Sequence, residues 1–221
     1  MRVPFVPILP CLFFLTAALS AQPPARPGAA PVTPAYTYPA PLYRMNDVGK
    51  SLNLTAEQVA NLNKLTDATQ ARYRDDYAKL GALNDTERFT RTQELNQKYY
   101  ADWNKGARDV FNDTQRARYQ QVNYQYGGFN TFYDPDVQKQ LNLTAEQQRN
   151  LRTQYDWSNQ QLAEINRAGA ADATKGARMY RDYWTARQER INKYLTTEQQ
   201  KAWNQMIGDP YTFQPDFTPR R

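Results

Sequence analysis

Two pairs of neighbouring carboxylates are the side chains whose spacing could support chemistry. Asp75 and Asp76 are consecutive, and Asp134 and Asp136 flank Pro135. Paired carboxylates act as general acid and base in some enzymes and as oxygen ligands for calcium in other proteins. Helical periodicity places the first pair on a polar helix face, and the proline places the second pair in a loop. We therefore expect solvated or helix-capping roles for these side chains.

The other residue types on which catalysis and metal binding depend are nearly absent. The sequence of 221 residues contains no histidine and a single cysteine, Cys11. No nucleophile–base pair of the Ser–His or Cys–His type can be assembled, and the commonest ligands of transition metals are missing. We expect no enzymatic activity, no metal site and no cofactor. The net charge of +6 is mixed with acidic side chains along the chain, which predicts a solvated surface and no nucleic-acid interface.

A five-residue motif, Leu-Thr-x-x-Gln, occurs three times in full. Its threonine can accept a hydrogen bond from the N3 amide of a helix, and its glutamine at N3 can reach back to the amide of the cap. The motifs therefore predict three helix starts, with each cap worth about 1 kcal/mol. The motif residues are Leu54, Thr55 and Gln58, then Leu143, Thr144 and Gln147, then Leu195, Thr196 and Gln199.

The sequence also contains an internal repeat. Residues 47–58 read DVGKSLNLTAEQ and residues 136–147 read DVQKQLNLTAEQ, with ten of twelve positions identical. A second pair of segments follows in the same order, a degenerate motif at 111–115 and the full motif at 195–199. Such self-similarity indicates a duplicated supersecondary unit.

Hydrophobic residues at steps of three and four fill both units, and no strand pattern is evident. We predict an all-α fold of elongated helical hairpins, with a first unit at 45–128 and a second at 129–207. A loop containing Gly169 and Gly176 is predicted between two helices of the second unit.

Two aromatic doublets, Tyr99-Tyr100 and Tyr183-Trp184, align between the units. Neighbours on a helix point about 100° apart, so both members of a doublet cannot face one core. Periodicity assigns the first member of each doublet to packing and leaves the second on a flanking face beside arginines. Either this face contacts unfolded or partner chains, or another helix packs over it. The candidate contact residues are Tyr100, Trp184, Arg181 and Arg187.

The two ends of the sequence predict segments outside the helical units. Residues 1–21 read as a signal peptide cleaved after Ser20 or Ala21, which implies a periplasmic or secreted protein without a transmembrane segment in its mature form. An uncleaved anchor is the alternative, but the apolar core is short for a spanning helix. Residues 22–44 contain seven prolines and predict a disordered linker. Residues 208–221 form a C-terminal tail.

The arrangement as a whole resembles the Spy/CpxP family of periplasmic proteins. The resemblance rests on the export signal, the proline-rich lead, the long polar hairpins and the paired Leu-Thr-x-x-Gln motifs, and it covers about residues 46–207 as two family-like units in tandem. It implies an ATP-independent chaperone or envelope-stress adaptor whose partners are unfolded or envelope proteins. Because family members are often dimers, it also implies either a monomer with an internal pseudo-duplication or a homodimer.

Two features set limits on this resemblance. Related family members sense metals through histidine-containing sites, and this sequence has no histidine. The second motif of the first unit is also degenerate. An alternative function from a different class is a structural or spacer protein of the cell envelope that binds no client.

Overall fold

The fold is all-α in the part of the chain that the computed structural model describes, which is residues 38–39, 41–45, 48–215 and 217. These residues form eight α-helices and no strand, which confirms the predicted fold class. The predicted signal peptide and most of the predicted linker lie outside the described residues. None of the helices described is both long enough and apolar enough to cross a bilayer.

The same order of helices occurs in both halves of the described chain. The first half contains α1 (Val48–Ser51), α2 (Ala56–Lys79), α3 (Asp85–Ala107) and α4 (Asp113–Gly127). The second half contains α5 (Pro135–Leu141), α6 (Ala145–Ala171), α7 (Ala173–Tyr194) and α8 (Thr197–Ile207). Short 3-10 turns at Leu42–Arg44 and Gly128–Tyr133 precede α1 and α5. The descent of both halves from one family unit stays a prediction.

The long helices form two antiparallel hairpins, α2 with α3 and α6 with α7. Across the first, Trp103 Nε1 donates to Thr66 Oγ1 at 2.9 Å, and the Tyr77 hydroxyl donates to an Asn96 side-chain oxygen at 2.6 Å. Across the second, the Tyr194 hydroxyl donates to the carbonyl oxygen of Gln147 at 2.6 Å. At 1.5 Å per residue, a helix of the length of α2 spans about 36 Å.

Each half has its own apolar core, and α4 packs against α8 where the halves meet. The most deeply buried side chains of the first core include Leu62, Leu95, Tyr99, Trp103 and Tyr119. Those of the second core include Phe129, Phe132, Leu141, Leu151 and Trp203. Full burial of a large apolar side chain contributes about 1.5–3 kcal/mol, so these residues are the main source of stability for the two hairpins.

The end of the predicted linker differs from expectation, because Leu42–Arg44 form an ordered turn on the first core. Leu42 is fully buried, and the Tyr43 ring stacks on Trp103 with ring centroids 6.0 Å apart. The Tyr43 hydroxyl also donates to an Asn63 side-chain oxygen at 2.9 Å. Burial of these two apolar side chains offsets the entropy of ordering the turn, which a proline-rich composition alone does not reveal.

The prediction of a loop containing Gly169 and Gly176 is wrong. Both glycines lie inside helices, and the chain reverses at Asp172, whose side chain accepts a hydrogen bond from the amide of Lys175 and begins α7. A Cβ on Gly176 would overlap the Cα of Gly169. The missing side chain at Gly176 therefore allows α6 and α7 to approach closely.

Candidate functional site

The motif residues begin helices in the way the sequence predicts. Thr55, Thr144 and Thr196 each accept a hydrogen bond from the amide of the glutamine three residues later, and that glutamine's Oε1 accepts one from the threonine amide. The degenerate motif forms a fourth box, in which Asn112 and Gln115 exchange the same two bonds. A side-chain oxygen at the cap position, from either threonine or asparagine, is therefore sufficient to form the capping box.

The motif glutamines also pair with each other, which sequence reasoning missed. Gln58 Nε2 donates to Gln115 Oε1 at 2.8 Å, and Gln115 Nε2 donates to Gln58 Oε1 at 3.2 Å. Both amide groups also donate to main-chain oxygens, from Gln58 to Val110 at 2.8 Å and from Gln115 to Leu52 at 3.1 Å and Asn53 at 3.4 Å. The starts of α2 and α4 are thereby held together.

The second half contains the same arrangement. Gln147 Nε2 donates to Gln199 Oε1 at 2.7 Å, and Gln199 Nε2 donates to Gln147 Oε1 at 3.0 Å. The further bonds go to the carbonyl oxygens of Tyr194 and Asn142. The motif leucines pack beside these pairs, Leu143 and Leu195 in the second core and Leu54 against the first. The motif therefore has a structural role, and its occurrence twice in each half was the signal for pairing.

The four candidate contact residues do not share an open face. Tyr100 is only 3% exposed and packs edge-on against Tyr99, with ring centroids 5.5 Å apart. Arg187 is 5% exposed, Trp184 is partly buried, and Arg181 alone is exposed. The contact interpretation is therefore wrong for Tyr100 and Arg187, because helix packing buries a wider stripe than the spacing of apolar residues indicates.

Arg187 caps the C-terminal end of α4 from the other half. Its guanidinium donates to the carbonyl oxygens of Gln125 at 2.7 Å and Tyr126 at 3.0 Å, and it lies 3.7 Å from the ring centroid of Trp184. These carbonyls end a helix, so a cation there is favoured by the helix dipole. Gly128 has a φ of 53°, and a Cβ on it would lie 2.7 Å from Arg187 Nη1. Only glycine fits there without displacing the arginine.

The C-terminal residues, which the sequence describes only as a tail, lie on Trp184. We call residues 208–215 and 217 the C-terminal segment. The Phe213 ring stacks on Trp184 with centroids 4.9 Å apart and planes 16° apart, and the rings of Tyr126 and Tyr211 lie 5.0 and 4.8 Å from it. Phe217 lies over Gly169 and Gly176, where a Cβ on either glycine would approach its ring within contact distance.

Gln125 and Arg118 make hydrogen bonds to main-chain atoms at the start of this segment. Gln125 Nε2 donates to the carbonyl oxygens of Ile207 and Asp209 at 2.7 and 2.8 Å, and Gln125 Oε1 accepts from the Tyr211 amide at 2.7 Å. Arg118 also donates to the Asp209 carbonyl oxygen at 2.8 Å. Hydrogen bonds to main-chain atoms hold a chain without selecting its sequence, and the rings supply the side-chain contacts.

The acidic pairs differ in environment. Asp134 is fully buried and caps α5, since its Oδ1 accepts from the Asp136 amide at 2.8 Å. Within the described residues its Oδ2 has no hydrogen-bond partner, and burial raises the pKa of this carboxyl to about 7. Asp76 forms an exposed ion pair with Lys79. Asp134 thus caps a helix as expected, but its side chain is buried and not solvated.

Comparison with protein-family models, with curated proteins and with solved structures found no match. The described residues contain no group of three or more His, Cys, Asp or Glu side chains placed to hold a metal ion.

Proposed function

We propose that this chain is a non-catalytic binding protein that holds extended polypeptide segments outside the cytoplasmic membrane. The observation that carries the proposal is the aromatic surface around Trp184, which already accommodates a proline-containing segment that is neither helix nor strand. Stacking on aromatic rings combined with hydrogen bonds to main-chain atoms suits partners of varied sequence. Unfolded or envelope proteins are the partners that this chemistry fits.

The resemblance to the Spy/CpxP family supports the same class of function, a chaperone or envelope-stress adaptor. Export depends on the predicted signal peptide at residues 1–21, which lies outside the described residues. Mass spectrometry of the mature N-terminus is the direct test, with cleavage expected after Ser20 or Ala21. An intact N-terminus in the membrane fraction would contradict cleavage and indicate an uncleaved anchor, whereas an intact N-terminus in the cytoplasm would contradict the export proposal.

A structural spacer of the cell envelope is the second candidate. It is favoured by the burial of Tyr100 and Arg187 and by the paired glutamines, since all of these side chains stabilise the scaffold and leave few contact residues exposed. A spacer requires rigid helices and no client surface.

Aggregation suppression separates the two candidates. A chemically denatured protein is diluted into buffer with an equal molar amount of the full chain, and light scattering is followed. Client binding predicts reduced scattering, which Trp184→Ala weakens and the exposed-site control Arg149→Ala, on α6, leaves unchanged. Circular dichroism checks that both variants keep their helix content. Undiminished scattering at stoichiometric ratios would support the spacer and overturn the binding proposal.

A further inference from the structure

We propose that the C-terminal segment is a tethered occupant of a peptide-binding groove, and that an incoming segment with closely spaced aromatic residues displaces it. The inference rests on the proposed function and specifies its site, its partner chemistry and its regulation. The groove is lined by Tyr126, Gly169, Gly176, Tyr180, Trp184 and Arg187. Its resident places Tyr211, Phe213 and Phe217 at spacings of two and four residues.

The first part of the groove is a slot for one aromatic ring. Phe213 lies between Trp184 and Tyr126, parallel to the first ring and edge-on to the second, and is only 5% exposed. Arg187 also lies against Trp184, with its guanidinium 3.7 Å from the ring centroid. The position of the Trp184 ring is therefore supported by Arg187, which does not belong to the C-terminal segment.

The second part is a stretch of helix backbone at two buried glycines, which the Phe217 ring covers. Gly169 and Gly176 both lie inside helices, where glycine is disfavoured by about 1 kcal/mol relative to alanine. Close approach of α6 and α7 explains Gly176, whose Cβ would overlap the backbone of Gly169. At Gly169 the three atoms nearest to an added Cβ all belong to the ring of Phe217. The missing side chain at Gly169 leaves space for a ring.

The resident segment is suited to leave this groove. It contains neither helix nor strand, it follows Gly208, whose φ is 60°, and its polar contacts to Gln125 and Arg118 involve its main-chain atoms. Its departure breaks no helical hydrogen bond beyond the end of α8. A segment tethered by one residue has an effective concentration in about the millimolar range, so it competes strongly with a free segment of the same kind.

The test uses the full chain and a fluorescein-labelled peptide of residues 208–217, with binding followed by fluorescence polarisation. Phe213→Ala combined with Phe217→Ala loosens the resident segment and leaves the groove intact. We expect this double variant to bind the peptide about tenfold more tightly than the wild-type chain. Adding Trp184→Ala should abolish the gain. Thr212→Ala, a change at an exposed position of the same segment, should bind as the wild-type chain does.

Equal affinities for the wild-type chain and the double variant overturn the inference, as does peptide binding that survives Trp184→Ala. Concentration-dependent dimers of the wild-type chain in sedimentation would also overturn it, because the segment would then serve exchange between two copies. If the double variant fails to fold by circular dichroism, Gln125→Met replaces it, since it releases the main chain and retains both rings. If the wild-type chain suppresses aggregation but the loosened variant gains no peptide affinity, only the inference is rejected. If neither protein suppresses aggregation, the proposed function is rejected.

Discussion

Gln58 and Gln115 donate side-chain hydrogen bonds to each other although they are 57 residues apart in the sequence. Each also accepts a bond from the main-chain amide of the residue that caps its own helix. One pair of amides therefore satisfies two helix starts and joins them. Gln147 and Gln199 do the same in the second half, 52 residues apart.

Removing one member of a pair should destabilise the half that contains it. Gln115→Ala leaves the carbonyl oxygen of Leu52 and the side-chain amide of Gln58 without this partner, so we expect the free energy of unfolding to fall by about 1–3 kcal/mol. Urea denaturation measures it. The double variant with Gln58→Ala should lose less than the sum of the two single changes. Gln140→Ala, at an exposed position of α5, is the matched control and should stay within about 0.5 kcal/mol of wild type.

Arg187 and Arg181 lie on the same helix, but removal of the charge should lower the stability of the fold only at Arg187. Arg187→Met leaves the last carbonyls of α4 without their donor and removes the contact with Trp184, so the free energy of unfolding should fall by about 2–4 kcal/mol. Arg181→Met removes an exposed charge and should change stability by less than about 0.5 kcal/mol. Equal effects in urea denaturation would contradict the capping role of Arg187.

Asp134 makes stability depend on pH. Its pKa is raised from 3.8 to about 7 in the folded chain, so the folded state retains a proton that the unfolded state releases between these values. Stability should therefore fall as pH rises from about 4 to 7 and should change no further above that range. Asp134→Asn stays neutral and can still cap α5. We expect the variant to match wild type near pH 4 and to be more stable by about 1–3 kcal/mol at pH 8.

The control for this prediction is Asp109→Asn, which changes an exposed carboxylate of the same type. Thermal unfolding of the three proteins at pH 4.5 and pH 8 provides the comparison. A difference between Asp134→Asn and wild type that is the same at both pH values would show that the carboxyl ionises normally in the folded chain.

Gly169→Ala should loosen the attachment of the C-terminal segment without lowering the stability of the α6–α7 hairpin. The added Cβ excludes the Phe217 ring, whereas alanine favours the helix by about 1 kcal/mol over glycine. We expect faster proteolysis of the C-terminal segment by chymotrypsin and no fall in the melting temperature of the helices. Thr174→Ala, an exposed change in the same hairpin, should leave the cleavage rate unchanged. A slower cleavage in Gly169→Ala would contradict the placement of Phe217.

Local chemistry was predictable from the sequence, because capping depends on residues three apart. Thr55, Thr144 and Thr196 cap helices as their motifs indicate. The pairing of Gln58 with Gln115 was not predictable in the same way, since it depends on how distant helices meet. The fourth box shows the limit of a motif defined by residue names, because Asn112 supplies the same acceptor oxygen as threonine.

The candidate contact site failed for a reason that concerns tertiary structure. Periodicity correctly assigns Tyr99 and Tyr183 to the core, and both are buried. It cannot show that Tyr100 is covered as well, or that Phe213 from the end of the chain stacks on Trp184. The glycine signal was ambiguous for a related reason, since a glycine that ends a helix and one that allows close packing look alike in sequence.

The reciprocal glutamine pairs have a consequence for how this chain withstands its surroundings. Each pair closes a loop of more than fifty residues, the kind of closure that secreted proteins commonly achieve with a disulfide, and Cys11 is the sole cysteine available. A cross-link made of amides is indifferent to reductants and oxidants, and it re-forms within the same molecule whenever the helix starts meet again. Joining the helix starts in each half therefore requires no redox partner.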